Sequence, residues 1–420
     1  MLPFHHFSSR VHKLTIHRQP LFIVSLMLFF WTLFDGSVSY LSPLAIKQAG
    51  FSDTMLGLII GSSSITGATF DFALSKFLKN THFRRVYLVM FGLCFLFPLI
   101  LLEAKTIWLF LLAMAVWGLY FDLVNFGTFD FVGRKIEAEE HAQSFGIVNV
   151  FKSLGYLLAP LLAGLALGAS SLVDWRPIGL MTIFLLISFC FYLLLASTTK
   201  QKKELIGNSF FPKIHVLSEI SLWKQIGKIL LPVLLLSLFF NIFDSFFWTI
   251  GPLVAENYKN LHPFNGLFLT AYELPALMVG WFVGNVTKKY GKKRTAFLGF
   301  LIGSLLISIF SLLHNLFFIL IDVFVASLFV GFTIPALEGA YADYISETGK
   351  VEKEITALTD FFTNIGYIIG PIAAGLLADH VGNAQAFSLL GITCALVALI
   401  LLKITPRKIT VKIILPPAKS

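Results

Sequence analysis

Charge is scarce: Asp, Glu, Lys and Arg make 13% of these 420 residues, against 57% hydrophobic residues. So few charges cannot clothe a soluble chain of this length, and the solvent for most of it must be lipid. Cysteine is nearly missing as well. Cys94, Cys190 and Cys394 stand singly inside apolar runs, where a thiol behaves as a small apolar group, so neither a disulfide framework nor a catalytic thiol is expected. No G-x4-G-K-[ST] loop occurs, which excludes a phosphate cradle of that kind as an energy source. His5, His6, His12 and His17 gather in the amino-terminal tail without metal-ligand spacing, and no metal or other cofactor is expected. Carboxylates occur without a convergent nucleophile, base or metal group, so the chain is not expected to be an enzyme.

What is present is a series of twelve apolar runs, each near the roughly 20 residues that cross a bilayer as a helix. They lie near 20-46, 54-76, 85-103, 106-132, 143-168, 177-197, 228-255, 264-287, 295-313, 316-345, 355-379 and 384-403. The expected fold class is an all-α integral membrane protein of twelve transmembrane helices. Cytoplasmic loops are enriched in Lys and Arg. With the amino terminus inside, 27 of the 32 Lys and Arg fall on the cytoplasmic side. Lys47, Lys105, Arg176 and Lys259 fall outside, and Lys152 lies within a span. Both termini are therefore expected in the cytoplasm, and the first run reads as an uncleaved span rather than a signal peptide. This asymmetry accounts for the net charge of +9, so no nucleic-acid partner is needed.

The chain also repeats itself. FKSLGYLLAPLLAG, residues 151–164, matches FTNIGYIIGPIAAG, residues 362–375, with Gly155/Gly366, Tyr156/Tyr367, Pro160/Pro371 and Gly164/Gly375 in register. An offset of 209 places Asp35 on Asp244, and one of 213 places Asp130 on Asp343. Duplicated halves in a membrane chain suggest a transporter. The expected organisation is a tail (1-19), a six-helix bundle (20-197), a basic linker (198-227), a second six-helix bundle (228-403) and a second tail (404-420). Apolar patches in the linker suggest a helix on the inner membrane face. Glycines four apart, such as Gly57 and Gly61 or Gly366 and Gly370, allow close helix approach. Pro43, Pro160, Pro252, Pro275, Pro335 and Pro371 are expected to interrupt helices.

The loop after span 8, Gly284-x3-Lys288-Lys289-x-Gly291-Lys292-Lys293, resembles the signature of the major facilitator superfamily, G-x3-D-[RK]-x-G-[RK]-[RK], with Lys288 at the acidic position. The loop after span 2 keeps Arg84 and Arg85 of that pattern. With the spans and the repeat, the resemblance covers nearly the whole chain. It implies two pseudosymmetric bundles, with spans 1, 4, 7 and 10 lining a central cavity. Physically, such loops can latch the cytoplasmic side, with Asp130 and Asp343 as partners for the cations; plain topology is the alternative. Span 5, Gly146-x8-Gly155-x3-Ala159-Pro160-x2-Ala163-Gly164, is similar to the helix 5 signature of drug/proton antiporters, with Ala twice in place of Gly. That resemblance implies close packing by Gly146, Gly155, Pro160 and Gly164, and by Gly366, Gly370, Pro371 and Gly375 in span 11. It departs in span 4, where Asp122 stands and the antiporters' arginine is missing.

Ionisable groups at membrane depth are functional candidates because insertion costs a few kcal/mol. Each cavity helix of the resemblance carries one: Asp35, Asp122, Asp244 and Glu338. Such a carboxyl can carry a proton across or neutralise a cationic substrate; alternatively it closes a helix–helix hydrogen bond. Lys152 in span 5 could bind an anionic group or pair with Asp122 or Asp71, and Glu273 in span 8 is a further coupling candidate. Asp322 reads as a structural acid nearer the outer face. Trp31, Tyr40, Trp117, Tyr120, Phe247 and Trp248 could stack on a ring or cation. The expectation is a monomeric, proton-coupled secondary transporter of a small organic solute in the plasma membrane. Efflux of an amphiphilic or cationic compound is favoured over proton- or sodium-coupled uptake, and a non-transporting receptor on the same fold is a third reading.

Overall fold

The structure is a computed structural model that describes residues 4–77, 82–137, 140–168, 173–199, 216–258, 264–348 and 352–406. Among the described residues it is all helix and no strand. The helices are α1 (Phe4–Gln48), α2 (Asp53–Phe77), α3 (Phe83–Glu103), α4 (Ile107–Lys135), α5 (His141–Leu167), α6 (Trp175–Thr198), α7 (Val216–Asn257), α8 (Leu267–Tyr290), α9 (Lys292–Ile307), α10 (Leu316–Val330), α11 (Thr333–Thr348), α12 (Glu352–Val381) and α13 (Asn383–Ile404). Residues 200–215 of the expected linker lie outside the described set, and from Val216 the chain already belongs to α7.

Ten of the spans are long and apolar enough to cross a membrane. An eleventh is α8, whose two parts, Leu267–Gly280 and Phe282–Tyr290, meet at 67°. The remaining run, α2, has 25 residues but carries the polar stretch Ser62, Ser63, Ser64 and Thr66. Span 10 is two helices. α10 stops at Gly331, and Pro335 sits in the first turn of α11, where a missing N–H leaves no hydrogen bond unmade. Four other prolines expected to interrupt helices, Pro43, Pro160, Pro252 and Pro371, lie inside continuous helices, and Pro275 lies in the first part of the bent α8.

The residues fall into two compact units. The first comprises Met1–Ala49, Thr66–Ile206 and Leu261–Leu267; the second comprises Gly50–Ile65, Gly207–Asn260 and Phe268–Ser420. Each unit thus takes in a short segment of the other sequence repeat, and α2 changes unit between Ile65 and Thr66. In the first unit α1 packs on α5 and α6, and α3 on α4; in the second α7 packs on α12, and α9 on α10 and α13. Trp31, Phe34, Tyr40, Tyr87 and Tyr120 are wholly buried in the first unit, as are Phe243 and Phe246 in the second. Large apolar side chains such as Trp108 and Phe317 remain exposed, which is what a lipid solvent permits. Polar side chains of α1 are satisfied along its own backbone: Ser25 donates to the Leu21 carbonyl, Thr32 to Leu28 and Ser37 to Leu33.

Glycine fixes the two central crossings. Gly155 of α5 lies so close to Thr32 and the Phe29 carbonyl of α1 that a Cβ has no room, and Gly366 of α12 meets Asn241 and the Leu238 carbonyl of α7 in the same way. One turn further the two repeats exchange bulk. In the first unit Gly36 on α1 faces Ala159 on α5; in the second Ser245 on α7 faces Gly370 on α12. The alanine that departs from the antiporter-like pattern is therefore accommodated by a glycine on the facing helix. Gly146 does not share this role: among the described residues nothing lies within 4 Å of where its Cβ would be.

Candidate functional site

The glycine crossings bring a tyrosine onto an acid in each unit. Gly155 lets α5 lie against α1, and the next residue, Tyr156, donates its hydroxyl to Asp35 Oδ2 at 2.8 Å. Trp117 Nε1 and Tyr120 Oη, one turn apart on α4, both donate to Asp35 Oδ1, at 3.0 and 2.9 Å. The carboxylate is only 2% exposed, yet both oxygens are engaged. Around it Tyr120 packs edge-on against Trp31 and Phe97, with ring centroids 6.1 Å apart in each case. Lys152 lies one turn before Tyr156. Its ammonium donates to Asn125 Oδ1 at 3.4 Å, and its charge acts on Asp35.

In the second unit Gly366 precedes Tyr367, which donates to Asp244 Oδ2 at 2.8 Å. Tyr272 of α8 donates to the other oxygen, Oδ1, at 2.7 Å. The Tyr272 ring stacks on Phe247 with centroids 3.9 Å apart and planes at 8°, while its carbonyl accepts from Ser327. Glu273 is the neighbour of Tyr272, and the charge of Asp244 acts on it. The two acids therefore sit in unlike surroundings: Asp35 beside a cation, Asp244 beside a second acid.

Tyr156, Tyr272 and Tyr367 were not singled out for function from sequence, although Tyr156 and Tyr367 were already aligned by the repeat. The signal was the coincidence of a repeated acid with a repeated tyrosine. Trp117 and Tyr120 have no aromatic counterpart at the repeat offset, which places Val330 and Thr333 there. Tyr272 supplies the second donor instead.

The other candidate acids are not brought into these clusters by any hydrogen bond to Asp35 or Asp244. Asp122 points its Oδ2 at the open face of Gly67 on α2. Asp322 on α10 is 7% exposed, and its Oδ2 is a buried oxygen without a hydrogen-bond partner among the described residues. Glu338 is exposed on α11. Of Asp71's side chain nothing is described.

Within each unit the basic loops meet these partners. Lys292 donates to Asp343 Oδ1 at 2.6 Å and to the Gly339 carbonyl at 3.0 Å. Asp130, the counterpart of Asp343, accepts from the backbone N–H of Phe83 at 2.7 Å, capping α3, and pairs with Arg134 at 2.5 Å. Arg84 reaches Thr199 Oγ1 at 2.8 Å, past the end of α6, and Lys293 reaches the Pro406 carbonyl at 2.7 Å, past the end of α13. A cation thus meets the negative end of the last helix in each unit. Arg85 is exposed, Gly291 supplies the positive φ of 85° that starts α9, and Gly284 faces open space. Burial lowers the pKa of the His82 imidazole, against the opposing charge of Asp130.

Comparison with known proteins adds three findings. The sequence profile of the Major Facilitator Superfamily matches residues 21–256 and 233–417. The quinolone resistance protein NorA of Staphylococcus aureus is 28% identical over 182 residues, covering 41% of this chain and 46% of NorA, so the match spans about half of that relative. Among solved structures, the nucleoside transporter NupG superposes with a TM-score of 0.72 at 12% identity, over 94% of this chain and all (100%) of NupG. The peptide transporter POT in complex with sulfate gives 0.72 at 14% identity, over 93% and 94%. At these identities the superpositions establish the fold alone.

Proposed function

The chain belongs to the major facilitator superfamily, and on that premise we propose that it is a proton-coupled secondary transporter moving a small organic solute by alternating access, with efflux of an amphiphilic or cationic compound as its direction. Its fold is that of the family's transporters, and its helices are multi-pass membrane spans. The observation that carries the proposal is the pair of repeated acids, Asp35 and Asp244, each held by its repeated tyrosine on a helix that also forms a glycine crossing.

The chemistry follows from donor counting. An ionised carboxylate accepts only, whereas a protonated one must also donate. A proton arriving at Asp35 therefore displaces or reverses the hydroxyl bond from Tyr156 or Tyr120, or displaces the indole N–H of Trp117, and one arriving at Asp244 displaces or reverses the bond from Tyr272 or Tyr367. Because Tyr156 and Tyr367 ride on α5 and α12, the proton's arrival at their acids strains the crossings with α1 and α7. A cation entering in place of the proton restores the accepting state, which is the basis of exchange. Resemblance to a protein named for quinolone resistance supports efflux.

A second reading, uptake of an anionic metabolite with a proton or sodium ion, is favoured by Lys152, a cation at membrane depth in α5. The enrichment of Lys and Arg in alternate loops supports cytoplasmic termini, and the half-chain repeat supports six-helix bundles at 20-197 and 228-403; plasma-membrane residence and a monomeric state belong to the same proposal. The test is flux of a panel of amphiphilic cations in proteoliposomes under an imposed proton gradient. Flux that ignores the gradient, with normal transport by Asp35→Asn and Asp244→Asn, overturns proton coupling.

A further inference from the structure

At the end of the spans opposite the basic loops, the repeat makes two more crossings that are alike in backbone and unlike in chemistry. In the first unit Gly266 lies against the Pro160 carbonyl of α5, with Gly164 alongside; in the second Gly57 of α2 lies against the Pro371 carbonyl of α12, with Gly375 alongside. These are repeat counterparts, and in all four glycines a Cβ would collide with backbone. Neither contact can loosen gradually, because each depends on direct backbone approach.

Among the described residues, the second crossing is fastened by charge. Asp379 of α12 accepts the Asp53 N–H at 2.9 Å on Oδ1 and the Thr54 N–H at 2.7 Å on Oδ2. Those groups open α2, so they have no partner within their own helix, and they form its positive pole. Ser52 Oγ takes a third, the Met55 N–H at 3.2 Å. At the repeat offset of 211 the counterpart of Asp379 is Gly168, which ends α5 with φ 61° and offers no side chain.

α2 itself is built to yield behind this clasp. Residues 50–65 belong to the second unit and those from Thr66 to the first. At the junction Ser62 and Ser63 bond back to the Ile59 and Ile60 carbonyls at 2.6 and 2.7 Å, a habit that bends helices.

We propose that Asp379 is a lock on the outer end of α2: its carboxylate holds residues 50–65 on α12, and its release lets that segment leave the second unit, turning about the serine run. At the Gly266–Pro160 crossing the counterpart position is Gly168, which holds no such carboxylate. Asp379 therefore sets the balance between clasped and released α2, and acts as a positioning residue without touching substrate.

Spin labels at Leu58→Cys and Leu376→Cys, both exposed positions, read the clasp directly once Cys94, Cys190 and Cys394 are replaced. In the parent protein a short distance dominates. Asp379→Ala removes two charge-assisted hydrogen bonds and is expected to shift the clasped-to-released ratio by about tenfold or more toward a longer distance. Asp379→Asn, which keeps an acceptor oxygen without the charge, gives a smaller shift in the same direction and serves where the alanine variant fails to insert. Distance distributions that superpose on the parent's in both variants, or in the asparagine variant if only that one inserts, overturn the proposal. No solute or proton gradient enters the measurement, so its outcome stands apart from that of the transport proposal.

Discussion

The hydroxyl of Tyr367 lies 2.8 Å from the carboxylate of Asp244. The repeat supplies the same bond, at the same 2.8 Å, between Tyr156 and Asp35. Removing either hydroxyl leaves a buried carboxylate short of a donor, a loss of roughly 1.5–3 kcal/mol for a bond to a charged group. Tyr367→Phe and Tyr156→Phe are expected to slow gradient-driven flux at least about tenfold, with counterflow less affected. Proteoliposome assays of both modes check this, and equal losses in both would assign the tyrosines to packing alone.

Asp35 and Lys152 are expected to behave as a compensated pair. Asp35→Asn strands a half-buried cation, whereas Asp35→Asn with Lys152→Met strands no charge. Thermal unfolding in detergent should find the double variant more stable than Asp35→Asn alone, with a coupling of about 1 kcal/mol or more.

Gly370 and Ser245 offer a sharper packing test. Gly370→Ala drives a methyl into Ser245 and is expected to destabilise by about 1–3 kcal/mol. Adding Ser245→Gly recreates the arrangement of Gly36 and Ala159, and should recover most of the loss in the same unfolding assay.

The inner loops separate two kinds of contact. Lys292 and Asp343 are both well exposed, with 38% and 55% of their side-chain surface open, so Lys292→Ala should change stability by less than about 1 kcal/mol. Asp130→Ala removes the cap of α3 and should cost about 1 kcal/mol or more. The reverse ranking by calorimetry would contradict these roles.

The helical fold was legible because its signals are redundant along the chain. Apolar run length, loop charge and a half-chain repeat each point to the same spans. Asp35 and Asp244 stood out because an acid in an apolar run is expensive. Their role as donors did not. Trp117 and Tyr120 stood out as rings that could stack on a cation, in a chain with 45 Phe, and Tyr272 has Ser63 at its repeat position. Only the crossing of helices far apart in sequence turns those rings into donors. Lys152 illustrates the same limit: the sequence offers the acids of nearby spans as partners for it, and only the fold shows that Asn125 also lies within its reach. Pro335 broke its helix while Pro160 did not, because a first-turn proline removes no bond and the helix can stop just before it.

The exchange of bulk between Gly36/Ala159 and Ser245/Gly370 also constrains history. Two halves descended from one ancestor reached these fillings by single steps, and one order is far easier than the other. Losing the larger group first leaves a methyl-sized void, worth about 1 kcal/mol. Gaining it first forces atoms together at 2.6 Å or closer. From either filling to the other the passable route sheds volume before acquiring it, and a substitution scan taken one position at a time would call forbidden a pair that two steps in that order can reach.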